Sequence, residues 1–131
     1  MTDTDQLIAR LEEATEGSRE TDAAIEVTKR ALDARDAGLT PEQAAQWRHL
    51  GDGWVGDYHT KYMAPRYSTS IDAALTLVPE GSYLRTQSSR DRQTNWAWVE
   101  MAKNESVAIS KTLALAVVTA ALKARSSNVE R

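Results

Sequence analysis

Asn95-Trp96-Ala97-Trp98-Val99-Glu100-Met101 is the stretch on which the fold turns. Successive side chains of an extended strand point to opposite faces. Trp96 and Trp98 therefore share one face, while Ala97, Val99 and Met101 share the other. Both faces are apolar, and a sheet with two apolar faces needs cover on both. The expectation is an α+β domain in which a small antiparallel sheet is sandwiched between helices, in α-β-α layers. The nearest pairing partner is Ser82–Gln87, joined through the polar connection Ser88-Ser89-Arg90-Asp91-Arg92-Gln93-Thr94. An antiparallel hairpin is the simplest arrangement, with a loop longer than the preferred ones.

Working outward, the segment from about Val107 to Arg125 reads as a helix that is apolar nearly all round between Leu113 and Leu122, and so as the most buried helix. Lys123 and Arg125 stand near its C-terminal end, where the helix dipole favours cations. On the other side, Ser70 to about Leu77 reads as a helix started by Thr69 and closed by Pro79-Glu80-Gly81. From Leu50 to Tyr67 no period holds, and the residues are rich in glycine and aromatics. The stretch at about 50–67 is predicted as a long irregular loop with one short strand near Trp54–Tyr58; loops of this length in compact domains are often functional.

Before it, Thr40-Pro41-Glu42-Gln43 is a capping box with proline at the first helical position, opening a helix to about His49. Leu7, Ile8, Leu11 and Ala14 place a first helix over about 4–15. A second runs from about Thr21 to Ala37, with Ala24, Ile25, Thr28, Ala31 and Leu32 along its inner stripe. Gly38 ends it. The 131 residues suit a single domain spanning 1–131.

Cysteine is absent, which excludes disulfides and thiol chemistry. The acidic start Met1-Thr2-Asp3-Thr4-Asp5 lacks the features of a signal peptide. Leu113–Leu122 is about half of the ~20 residues a spanning helix needs. No membrane partner is expected. The net charge of −3 divides unevenly: residues 1–57 carry thirteen acidic and six basic side chains, a net of −7, against +4 for residues 58–131. The halves pack together, so part of this is self-complementarity; a basic face that receives an anion is the alternative.

Three stretches carry a family resemblance: Leu7–Ala14 running into Gly17-Ser18-Arg19-Glu20, then Tyr67–Gly81 (Tyr-Ser-Thr-Ser-Ile-Asp-Ala-Ala-Leu-Thr-Leu-Val-Pro-Glu-Gly), and Thr112-Leu113-Ala114-Leu115-Ala116. Together they resemble small bacteriophage and prophage proteins grouped as the phage ABA-sandwich domain. The resemblance covers about the first 25 residues and most of 67–125, with 27–66 unmatched. It implies helix, sheet and helix layers, and a phage-encoded protein working in the host cytoplasm. It implies no catalytic residues.

Gly51-Asp52-Gly53-Trp54-Val55-Gly56 matches the dinucleotide fingerprint by letter. It lacks the preceding strand and following helix that bring amides to a pyrophosphate, and Asp52 would oppose the phosphates. His49, Asp52, Asp57 and His59 are weak candidates for metal ligands, in a spacing that fits no ligand pattern, and the plain reading is a polar loop. Ser68 and Ser70 read as turn and cap residues. No cofactor and no enzyme chemistry are expected, although metal-dependent hydrolysis stays open.

The remaining cluster is Arg66, Tyr67, Tyr83, Arg85, Arg90, Arg92, Trp96 and Trp98. Guanidinium forks bind phosphate and aromatic faces stack on bases. The plain reading makes the tryptophans core and the arginines a solvated hairpin tip. The functional reading is non-catalytic binding, a sponge that sequesters a nucleotide-type anionic small molecule, with an anti-defence role by analogy with other phage proteins. The alternative is a protein-interaction or virion-associated module acting as a homo-oligomer or on a host partner. Nucleic-acid binding is disfavoured by the acidic balance.

Overall fold

The computed structural model describes residues 3–44, 47–56 and 60–127. The chain runs α1 (Asp3–Glu13), α2 (Arg19–Asp36), α3 (Pro41–Ala44), β1 (Arg48–Gly51), β2 (Trp54–Gly56), β3 (Lys61–Met63), α4 (Ile71–Leu75), β4 (Tyr83–Ser88), β5 (Asn95–Glu100), β6 (Glu105–Ser110) and α5 (Leu113–Ser127). The strands form two antiparallel sheets in the orders β1-β2-β3 and β4-β5-β6. The class is α+β.

Local chemistry explains most boundaries. Ser18 caps α2 by accepting from the Thr21 amide, and Gly38 follows that helix at φ 80°. The capping box is present: Thr40 N–H donates to Gln43 Oε1 at 2.9 Å, and Gln43 N–H to Thr40 Oγ1 at 3.3 Å. The helix it opens ends early, because His49 already belongs to β1. Ser70, rather than Thr69, caps α4 by accepting from the Ala73 amide.

The stretch at 50–67 is not an irregular loop. Asp52 and Gly53 have φ of 51° and 88° between the paired residues Gly51 and Trp54. Two residues with positive φ joining two strands make the tight hairpin for which Asp-Gly is a preferred sequence. That dipeptide, and not a phosphate loop, is what the glycine-rich letters encode. The sheet lies on α2, with Val55, Ala64 and Ala23 buried between them.

The second difference concerns Glu105–Ser110. It forms β6 rather than the start of the last helix. Ser106, Ala108 and Ser110 are buried while Glu105, Val107 and Ile109 are exposed, the alternation of a strand covered on one face. The helix begins only at Leu113, where Thr112 Oγ1 accepts from the Leu115 amide.

Layer order is the third difference. From Ala114 to Leu122 every residue of α5 is buried. The element covered all round is therefore this helix: β5 and β6 lie along one side, and α1 and α4 pack on others, with Ile25 and Leu32 of α2 in the same core. Alanines at 114, 116, 120, 121 and 124 let the sheet and helices approach closely. The sheet β4-β5-β6 has that helical cover on its inner face, where Ala97, Val99 and Ala108 are buried. Its outer face is open. Tyr83 is 78% exposed and Ile109 54%, and Trp96 and Trp98 are half-buried. Cover on both faces of the sheet is thus replaced by cover all round the helix.

Candidate functional site: the open sheet face

Strand register assembles the face. Across the sheet, Tyr83 pairs with Glu100, Arg85 with Trp98 and Gln87 with Trp96. On the other side, Glu100 pairs with Glu105, Trp98 with Val107 and Trp96 with Ile109. Three rows result. One end is Tyr83–Glu100–Glu105, the middle rows are Arg85–Trp98–Val107 and Gln87–Trp96–Ile109, and beyond them lies the β4–β5 turn. Arg85 lies with its guanidinium carbon 4.6 Å from the Trp98 ring centroid and reaches Glu100 at 3.8 Å. Both groups of that ion pair are substantially exposed, so it contributes little.

The turn at the far end is ordered from within. Arg92 adopts φ 62°, and its amide donates to the Ser89 carbonyl at 2.9 Å. Asp91 accepts from the Ser89 hydroxyl at 2.6 Å and the Gln93 amide at 3.1 Å, and these bonds hold its carboxyl below the usual aspartate range. Arg90 and Arg92 are exposed at this tip. Asn95 secures the base by accepting from Ser88 and donating to the Arg92 and Lys111 carbonyls.

Of the eight sequence-derived binding residues, Tyr83, Arg85, Trp96 and Trp98 share this face, and Arg90 and Arg92 border it. Tyr67 does not join them. It is 2% exposed, with its hydroxyl donating to Glu26 Oε1 at 2.6 Å. Arg66 precedes it in the segment tied to α2, its carbonyl accepting from the Ser70 amide at 2.8 Å. The face also includes Val107 and Ile109, which were hidden inside an expected helix; the alternation Ser106-Val107-Ala108-Ile109-Ser110 was the sign that could have found them.

Of the weak metal candidates, only His49 and Asp52 fall among the described residues. His49 lies exposed on β1 and Asp52 in the hairpin turn, while Asp57 and His59 lie outside the described residues. Among the described residues there is no group of three or more His, Asp or Glu able to hold a metal.

A second cluster went unseen in the sequence. Asp22 and Glu26, one helical turn apart on α2, are 0% and 3% exposed. Asp22 accepts from the Ser68 amide at 2.8 Å, the Ser68 hydroxyl at 2.6 Å and Arg19 at 2.6 Å. Arg19 also donates to the Ala64 carbonyl at 2.5 Å. Glu26 accepts from the hydroxyls of Tyr67 and Tyr62, and Arg30 packs over the Trp47 ring at 4.7 Å. Burial and donation to Glu26 raise the Tyr62 phenol above its ordinary range, against an opposing pull from Arg30. Each carboxylate accepts on both of its oxygens. They fasten the segment 62–68 to α2, a structural clamp rather than a reacting pair.

Two clefts flank β6. One of about 220 Å³ is bordered by Glu12, Glu13, Gln93 and Lys111. The other, of about 420 Å³, lies among Asp5, Ile8, Glu105 and Lys123. Ile109 borders the first and Val107 the second, while Tyr83, Arg85, Trp96 and Trp98 line neither.

Comparison with family models, with curated proteins and with solved structures returned no match. Contiguous apolar side chains flanked by charge suit the broad contact of a macromolecule. A small molecule is held best where a concavity covers most of its surface. No helix among the described residues is long and apolar enough to cross a membrane.

Proposed function

We propose that this chain is a non-catalytic protein-interaction module, working through the outer face of the β4-β5-β6 sheet. The observation that carries the proposal is the row pair Trp98–Val107 and Trp96–Ile109, apolar and partly exposed on a face whose reverse side is buried along β5 and β6. A sheet of a monomeric protein that faces water on one side ordinarily alternates apolar-in with polar-out. Here the outward positions of β5 and β6 are apolar at four of six places. Contiguous exposed apolar patches rimmed by charge mark interaction sites. A phage-encoded protein in the host cytoplasm, acting on its own kind or a host partner, is the setting that the family resemblance supplies for this proposal.

A photo-crosslinking side chain placed at Ile109 tests it in producing cells. Adducts to protein at Ile109, absent when the same group replaces the exposed Leu39, support the module. Equal labelling at both positions, or none at Ile109, removes it.

Sequestration of a nucleotide-type molecule is the second proposal. It is favoured by the Arg85 guanidinium stacked on Trp98 beside Tyr83, with Arg90 and Arg92 near for phosphate. Tyr67 takes no part in it. A ligand panel of cyclic dinucleotides and ADP-ribose that leaves the melting temperature unmoved disposes of it.

A further inference from the structure

We infer that the partner of this face is a second copy of the same chain, packed sheet on sheet about a two-fold axis that lies between the Trp98 and Trp96 rows and perpendicular to the strands. The inference rests on the interaction-module proposal and names its occupant.

Charge along the strands carries it. At one end of the face, Glu100 and Glu105 stand directly opposite each other on neighbouring strands. Like charges in that relation are unfavourable, and Arg85 relieves them only from 3.8 Å. At the other end stand Arg90 and Arg92 at the tip and Lys111 just after β6, all exposed. Asp91 in that tip is turned back onto Ser89 and Gln93. Lys103, in the β5–β6 turn beyond the glutamates, and Lys123, beside Glu105 in the cleft against α1, offset part of the acidic end, as Glu12 and Glu13 beside Lys111 offset part of the basic one.

Along one direction the face thus runs from a glutamate end, through apolar rows on β5 and β6 with Arg85 and Gln87 at their β4 edge, to a basic end. A two-fold axis across the strands reverses that direction in the second copy. It lays the glutamate row of each chain over the Ser89, Thr94 and Lys111 end of the other, beside the Arg90–Arg92 tip, and sets Trp98 against the second copy's Trp96. An axis along the strands would put glutamates on glutamates. Only the crossing axis satisfies both ends at once, and an isologous contact of this kind closes on itself without building a filament. Two sheets packed face to face keep their strands within about 30° of each other, which this arrangement allows.

The area sets the strength. Three strands about 4.8 Å apart and six residues long at about 3.4 Å per residue give a footprint of roughly 300 Å². That is below the ~800 Å² per partner of a standard specific interface. The dimer should therefore be reversible, with a dissociation constant on the order of micromolar or weaker.

Sedimentation velocity from about 5 to 500 μM, with circular dichroism to verify folding, reads the assembly. The parent chain should shift from monomer to dimer over that range, and a photo-crosslinker at Ile109 should yield a product of twice the chain mass. Ile109→Lys, an exposed position outside the core, should stay folded and remain monomeric. The decisive pair is Glu100→Lys with Glu105→Lys in one chain, and Arg90→Glu with Arg92→Glu in another. Each variant alone should weaken self-association at least tenfold. An equimolar mixture should restore dimers, because both ends then meet opposite charge. A chain that stays monomeric at 500 μM, a dimer indifferent to Ile109→Lys, or a mixture that fails to re-associate overturns the inference. If Ile109 crosslinks only to other proteins while the chain is monomeric, self-pairing is wrong and the interaction-module proposal survives. If Ile109 crosslinks to nothing in cells, that proposal falls as well.

Discussion

Replacing Asp22 by alanine should cost the fold about 3 kcal/mol, and the structure shows where that figure comes from. Asp22 is fully buried and accepts three hydrogen bonds. Its removal leaves the Ser68 amide, on a residue 0% exposed, without an acceptor. An unsatisfied buried group costs about 1–3 kcal/mol, and hydrogen bonds to a charged acceptor are worth about 1.5–3 kcal/mol. Two partners limit the damage. The Ser68 hydroxyl can turn to the Ser18 carbonyl, 3.1 Å away. Arg19, with a side chain 24% exposed, can recover water.

The loss should therefore fall at the lower edge of the roughly 3–5 kcal/mol seen when a buried pair is broken from one side. Asp22→Asn keeps an acceptor for Ser68 but offers an amide to Arg19, and should lose about half as much. Urea unfolding followed by circular dichroism measures both. For a domain of this size each kcal/mol corresponds to about 3–5 °C, so the alanine variant should melt roughly 10 °C lower. Exchange of the Ser68 amide should also accelerate relative to the β5 amides. An Asp22→Ala variant within about 0.5 kcal/mol of the parent at unchanged m, or one whose Ser68 amide keeps its protection, refutes the clamp.

Three further outcomes are expected. Burial first, then donation to the anionic Glu26, pushes the Tyr67 phenol far above its ordinary value of 10.0. A raised folded-state pKa stabilises the fold fully below the unfolded value near 10, and that contribution is lost as the pH climbs above it toward the folded value; Tyr67→Phe should therefore be less stable at pH 7 yet flatter in its alkaline denaturation, and an unchanged alkaline slope counts against the assignment. Gly56→Ala should destabilise by about 1–3 kcal/mol, because a Cβ there meets the Thr60 carbonyl and sits 2.8 Å from the Lys61 Cα; a neutral effect in thermal melts would mean that Gly56 does not approach Thr60 and Lys61 so closely. Leu115→Ala, on the all-round buried helix, should cost about 2–5 kcal/mol, and a cost under about 1 kcal/mol in urea would contradict its central place.

Local chemistry was legible in the residues. The capping box at Thr40–Gln43, the glycine that ends α2, the hairpin of β4 with β5 and the extended state of Trp96–Glu100 each depend on a few neighbouring residues. Such residues act through their own torsions and side-chain reach. The Asp52-Gly53 hairpin was equally local, yet its letters coincide with a phosphate-loop pattern, and β1 and β2 are too short to show a period. Glu105–Ser110 carried strand alternation that merged by eye with the apolar helix after it.

Partner choice was not legible. An apolar strand face and an apolar helix face are the same signal in a sequence, since burial is set by what arrives from elsewhere in the chain. Only the tertiary arrangement decided that α5 would be enclosed on all sides and that Trp96 and Trp98 would be left on an open face. It likewise decided that Tyr67 would turn inward to Glu26. The carboxylates of α2 could be buried because Ser68 and two tyrosines, about forty residues later, bring the hydrogen-bond donors that make their desolvation tolerable. Spacing along one helix cannot announce donors that come from another part of the chain.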